Sequence, residues 1–148
     1  MDTFQSHTIT QIGIIVKDIK KTAKDYAALF GVDVPDIIIT DSVDKAYTKY
    51  RGHSTEARAK LAFFNMGSLQ LELIEPDEHP STWREFLDNN GEGVHHIAFQ
   101  IKGMNETIDF LDIKGMPLVQ KGEYTGGRYA YIDSNSRLKV MLELLEND

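Results

Sequence analysis

The sequence predicts an α+β fold in which two tandem βαβββ modules close as a partly open barrel around one cleft. Three observations carry that prediction. A short strand-type run opens each half, Gln11–Lys17 (QIGIIVK) and His96–Lys102 (HIAFQIK). A stretch of helical periodicity follows each run. Each half then closes on almost the same five residues, LELIE at Leu71–Glu75 and LELLE at Leu142–Glu146. A chain written twice in this way is two copies of one supersecondary unit.

The elements follow in order. In Asp18–Gly31 the apolar residues Ile19, Ala23, Tyr26, Ala27 and Phe30 recur three to four apart. They form one helical face that must pack on a sheet. Asp18 is the expected N-cap. Met104, Ile108 and Leu111 give the helix in Gly103–Gly115 its own apolar face. Gly31 and Gly115 stand where a helix ends on a left-handed residue. Two further strands are expected in each half: Ile37–Thr40 and Ala59–Asn65, then Pro117–Lys121 and Arg128–Asp133. The run Tyr124-Thr-Gly-Gly turns the chain between the last two. The first half is longer, and its extra length falls around Asp33–Thr55.

All 148 residues read as one domain. Module one spans about residues 8–76, a linker helix about 77–93, and module two about 94–147. In the linker, Thr82 with Glu85 suggests a capping box. Trp83, Phe86 and Leu87 suit a helix that packs over one barrel end; a lid or a dimer contact is the alternative.

Composition excludes several functions. Charged residues make up 26% and hydrophobic ones 41%, as in a folded domain. No apolar run approaches the roughly 20 residues of a membrane helix. The start lacks a signal-peptide pattern, so a cytoplasmic location is expected. A net charge of −7 disfavours nucleic acid. Without any cysteine there is no disulfide, thiolate metal site or cysteine nucleophile. A metal must then be held by His, carboxylate or amide oxygen, which suits Mn, Co, Ni, Zn or Mg.

Four polar residues interrupt the strand pattern at matching places. Glu72 and Glu143 each stand between two leucines of a closing strand, and Gln11 and His96 each begin an opening strand. If a pseudo-twofold axis relates the halves, all four converge on it. Buried carboxylates cost several kcal/mol unless paired or metal-bound. Two carboxylates, an imidazole and an amide oxygen make a divalent cation site. His95 is expected to point to the opposite face of its strand, in a packing or supporting role. His7, His53 and His79 are expected in solvated loops.

The segments QIGIIVKDI, LQLELIEP, GEGVHHIAFQI and VMLELLE resemble the vicinal oxygen chelate superfamily, which includes glyoxalases, bleomycin-resistance proteins and extradiol dioxygenases. The resemblance covers about Ile9 to Glu146. STWREFLDNNGEGVHHIAF and the Tyr124-Thr-Gly-Gly-Arg turn are most similar to the methylmalonyl-CoA epimerase branch. It implies a divalent metal on Gln11, Glu72, His96 and Glu143, with Gln11 standing where the family most often has His. It also implies a second catalytic acid near Arg58–Lys60, where this chain has none.

The expected activity is that of an isomerase or lyase moving a proton next to a carbonyl on a small carboxylic acid, thioester or thiol adduct. A bound Co, Mn, Ni or Zn ion polarises the carbonyl. Glu143 or Glu72 acts as the general base. Arg58, Lys60 or Arg128 is expected to pair with a carboxylate or phosphate of the substrate. Two alternatives stand: a metal-free protein that sequesters a small molecule, and an extradiol-type dioxygenase. The expected partners are a small-molecule substrate and a second copy of the chain.

Overall fold

The computed structural model describes residues 2–148. The strands β1 (Gln11–Ile15), β2 (Ile38–Ile39), β3 (Lys49–Tyr50), β4 (His53–Ser54), β5 (Ala59–Asn65) and β6 (Gln70–Pro76) come from the first half. The second half contributes β7 (Gly93–Gln100), β8 (Leu118–Tyr124), β9 (Gly127–Ile132) and β10 (Met141–Asn147). All ten join one curled sheet in the order β2-β5-β6-β1-β7-β10-β9-β8-β3-β4. The helices are α1 (Ile19–Phe30), α2 (Val43–Ala46), α3 (Thr82–Asn90), α4 (Met104–Ile113) and α5 (Asn135–Leu138).

The two halves meet along β1 and β7, which run antiparallel. Gln11 lies opposite Ala98, Ile12 opposite Ile97 and Gly13 opposite His96. This ladder is symmetric about the Ile12–Ile97 pair and places the pseudo-twofold axis there. The closing strands flank it in parallel, with Glu72 beside Gly13 and Glu143 beside Ala98. Gln11 is thereby the symmetry mate of His96, and Glu72 of Glu143.

Helices α1 and α4 cover the convex side. Ile19, Ala23 and Ala27 of α1 pack on Ala62, Phe64 and Leu73. Met104 and Leu111 of α4 pack on Ala130, Ile132, Leu142 and Leu144. Asp18 caps α1 by accepting from the Lys21 amide at 3.1 Å. Gly31 closes α1 with φ of 66°, and Gly115 follows α4 with φ of 85°. Both values suit a residue without Cβ.

The last glutamate of each repeated motif has a structural task. Glu75 accepts from the Ile19 amide at 3.0 Å, and Glu146 accepts from the Gly103 amide at 2.5 Å and the Met104 amide at 3.3 Å. Each carboxylate sits at the positive end of its module's helix. Each also has a cation on the neighbouring strand: Lys60 lies 3.4 Å from Glu75, and Arg128 lies 2.8 Å from Glu146.

Three sequence expectations change. The Asp33–Thr55 segment does more than lengthen module one. It carries α2, β3 and β4 across to module two, where β3 pairs with β8 and covers the sheet edge there. The linker forms α3 over one barrel end, where Trp83 joins Ile15, Ile74, Tyr131 and Met141. Its cap is Ser81, which accepts from the Arg84 amide at 2.9 Å, and not a Thr82–Glu85 box. Glu85 binds Arg51 and Tyr50 instead. Finally, the β1–β7 ladder holds one extra residue on the β7 side, because Gly13 faces His96 while Ile14 faces Val94. The extra residue is His95, and this bulge breaks the strand alternation.

Candidate metal centre

The four polar positions of the seam converge in the concave side of the sheet. His96 is fully buried, and Glu72 and Glu143 are 6% and 5% exposed. His96 Nε2 lies 3.3 Å from Glu72 Oε1, 3.2 Å from Glu143 Oε1 and 3.1 Å from Gln11 Oε1. Ligand atoms of Glu72, His96 and Glu143 all fall within 4.8 Å of one another. Donors held about 2.1 Å from one ion lie about 3.0–3.4 Å apart. The spacing of the four side chains therefore fits a divalent cation.

Gln11 supports the same fit. Its amide nitrogen donates to Gln70 Oε1 at 2.9 Å, which turns its oxygen inward. That oxygen's place is 2.9 Å from Glu143 Oε1 and 3.2 Å from Glu72 Oε1. Oxygens at such distances with no proton between them repel, and a cation at their centre removes the repulsion. Without the cation, a proton on His96 Nε2 can be donated to this oxygen at 3.1 Å.

Charge and hydrogen bonding fix the histidines. Burial pulls the His96 pKa down, but Glu143 and Glu72 together outweigh it and push it up to about 10. Metal-free His96 is thus an imidazolium between two carboxylates. Its Nδ1 lies 2.9 Å from His95 Nδ1. Burial, then the charge on His96, holds the His95 pKa well below 6.5, so His95 is neutral. The donors then run in one direction. His96 Nδ1–H donates to His95 Nδ1, His95 Nε2–H donates to Thr82 Oγ1 at 3.1 Å, and the Thr82 hydroxyl donates to Met141 Sδ at 3.3 Å. This leaves His96 Nε2 directed at the centre. Burial also raises the pKa of Glu72.

His95 corrects the expectation from strand alternation. The bulge turns it inward with His96, and its ring packs edge-on against Phe86 and Tyr131. Gly13 is the other requirement of the seam. A Cβ there would come within 2.0 Å of His96 Cε1, so only glycine leaves room for the ring.

A cavity of about 510 Å³ opens over the centre. Gln11, Glu72 and Glu143 line its floor, and Phe63, Trp83, Tyr129 and Tyr131 line its walls. Trp83 Nε1 donates to the Tyr131 hydroxyl at 3.0 Å, and Gln120 Nε2 donates to that of Tyr129 at 3.1 Å. The crossing segment supplies Thr40, Asp41 and Thr48.

Arg58, Lys60 and Arg128, the expected substrate cations, do not line this cavity. Tyr129 and Tyr131 face it, so Arg128 between Gly127 and Tyr129 faces α4, with Ala130 and Ile132. Lys60 alternates with Ala59 and Leu61 in the same way. Arg58 is exposed and donates to the Thr40 carbonyl at 2.8 Å. The aromatic walls went unrecognised in the sequence, although the Tyr129–Tyr131 spacing of two was their signal. Asp41 had no signal, because its place depends on how the crossing segment runs.

Residues 10–131 match the family model described as Glyoxalase/Bleomycin resistance protein/Dioxygenase superfamily. Uncharacterized protein YqjC of Bacillus subtilis (strain 168) is 34% identical over 94 residues, 62% of this chain and 67% of that protein. The mitochondrial methylmalonyl-CoA epimerase of Homo sapiens is 24% identical over 107 residues, 72% of this chain and 52% of that protein. The chain thus spans about half the length of that epimerase. A hypothetical protein of Bacillus halodurans C-125 has a similar structure, with a TM-score of 0.66, 24% identity and 95% and 94% of the two chains covered. So does the methylmalonyl-CoA epimerase of Mycobacterium tuberculosis, with a TM-score of 0.62, 20% identity and 99% and 95% covered. At these identities, likeness of structure shows a shared fold.

Proposed function

The chain belongs to the glyoxalase/bleomycin resistance/dioxygenase superfamily, and we propose that it is a metal-dependent isomerase or lyase that moves a proton next to a carbonyl of a small carboxylic acid, thioester or thiol adduct. The convergence of Gln11, Glu72, His96 and Glu143 beneath an aromatic cavity carries the proposal. These residues would hold a divalent ion, which would supply Lewis acidity toward a substrate carbonyl and so acidify the neighbouring C–H.

The chain's own groups do the rest. Glu72 and Glu143 border the cavity, and one of them takes the proton at a carboxylate oxygen. Burial raises the Glu72 pKa above that of an ordinary carboxylate, which makes its carboxylate form more basic. Trp83, Tyr129 and Tyr131 hold the substrate and keep water from the reacting carbon. Strand β5 turns Ala59, Leu61 and Phe63 inward and offers no acid. This favours transfer of a proton on one face of the carbon over a two-base epimerisation.

The test is exchange of a substrate proton with solvent. Metal-loaded protein is incubated in deuterium oxide with a panel of 2-oxo acids, branched thioesters and thiol adducts, and the signal of the proton next to the carbonyl is followed by NMR. Loss of that signal in wild type, and its persistence in Glu72→Gln or Glu143→Gln, supports the reading. Persistence across the panel with metal bound sinks it.

A second reading has one observation in its favour. A protonated His96 lies between Glu72 and Glu143 with its Nε2 also 3.1 Å from the Gln11 oxygen, which satisfies the centre without a metal. The cavity then serves to sequester a small molecule.

A further inference from the structure

The cavity lacks one class of group. Among the described residues, no lysine or arginine lines it. Three cations that adjoin lining residues in the sequence are paired elsewhere: Lys60 with Glu75, Arg84 with Asp88 and Arg128 with Glu146. The charged side chains that do line it are Glu72 and Glu143 on the floor, Asp41 on the crossing segment and Glu123 of β8. Between floor and rim stand the rings of Phe63, Trp83, Tyr124, Tyr129 and Tyr131.

These facts bear on the arm of a ligand that reaches from the centre toward the rim. An anionic group on that arm finds no cation to pair with and must lose water beside aromatic faces and a carboxylate. An uncharged aromatic or aliphatic arm buries apolar surface on the same walls. A positive group gains from Asp41 and from the negative faces of the rings. We infer that the site takes a substrate whose only anionic oxygens are those reaching the metal centre, and whose arm is apolar and either uncharged or cationic. A second carboxylate or a phosphate inside the cavity is rejected. The inference rests on the proposed cleft but not on catalysis, and it narrows the substrate class.

Trp83 is the only tryptophan, and it lines the cavity, so its emission reports occupancy without any reaction. Benzyltrimethylammonium, benzyl alcohol and phenylacetate are titrated into the metal-free protein, where no metal ion attracts the carboxylate. The expected order is cation tightest, alcohol next, and phenylacetate roughly tenfold or more weaker than the cation. In Asp41→Lys the anion gains several-fold relative to the cation. Phenylacetate binding as tightly as the cation, no change of emission with any of the three, or an unaltered order in Asp41→Lys overturns the inference. Metal uptake on the same preparation is read separately. A correct order without metal uptake defeats only the metal-dependent reading, and metal uptake with the wrong order defeats only this one.

Discussion

His95 and His96 are consecutive in β7, yet both rings lie inside the protein with their Nδ1 atoms 2.9 Å apart. The bulge opposite Gly13 allows it. The consequence is a buried imidazole that accepts from the imidazole of the candidate metal centre and so fixes its tautomer. His95→Ala leaves the His96 Nδ1–H without an acceptor. Metal affinity is expected to fall roughly 10- to 100-fold with the first ligands intact. Equilibrium titration with a fluorescent competitor chelator checks this, and an unchanged affinity would show that His95 only fills space.

Gly13→Ala tests the room left for the His96 ring. The new Cβ meets the His96 ring, with Cε1 at 2.0 Å and both ring nitrogens within 2.6 Å. Overpacking of this kind costs about 1–3 kcal/mol. Thermal unfolding should show that loss, and metal uptake should fall with it because the ring must turn. An alanine tolerated without either effect contradicts the seam geometry described above.

The pH dependence of metal binding follows from His96. In the metal-free protein its pKa is pushed up to about 10, so it holds a proton at neutral pH. A metal must displace that proton. Apparent affinity is therefore expected to rise by about tenfold per pH unit on the way to that value. Calorimetry in buffers of different ionisation enthalpy should count about one proton released per metal bound. Release of none would mean that His96 is already neutral.

The capping glutamates give a stability prediction. Glu75→Gln weakens the acceptor for the Ile19 amide, at a cost of about 1 kcal/mol. Glu146 is held below the usual carboxylate pKa by the Gly103 amide and by Arg128. Its contribution is complete above its unfolded pKa of about 4.3 and is lost as pH falls through the lower folded value. Glu146→Gln should thus destabilise the protein at neutral pH and flatten the acid limb of its stability curve. Equal losses at pH 7 and pH 3 would exclude the cap.

Much of this was legible in the sequence because the repeat made it so. The duplicated LEL(I/L)E motif located Glu72 and Glu143, and the two opening strands located Gln11 and His96. Strand β5 was read with its full bounds, and Asp18 and Gly31 marked both ends of α1. What escaped notice depended on relations between the halves. The crossing of residues 33–58 to β8 rests on long-range pairing that no local pattern encodes, and Asp41 reached the cavity with it. The bulge at His95 rests on one extra residue in a ladder. Arg58, Lys60 and Arg128, expected to pair with the substrate, stand outside the cavity lining. The alternation in RYAYI sets Arg128 opposite to Tyr129 and Tyr131, and the pairing of Lys60 with Glu75 mirrors it.

The most direct measurement is metal bound per chain. Wild type, Glu143→Gln and His96→Ala are stripped with chelator, loaded in turn with Mn, Co, Ni and Zn, and analysed after removal of free ion. The centre described here predicts close to one ion per wild-type chain for at least one metal, with both substitutions weakening retention. A wild type that stays empty with every metal would contradict it and leave the cavity as a binding site for small molecules alone.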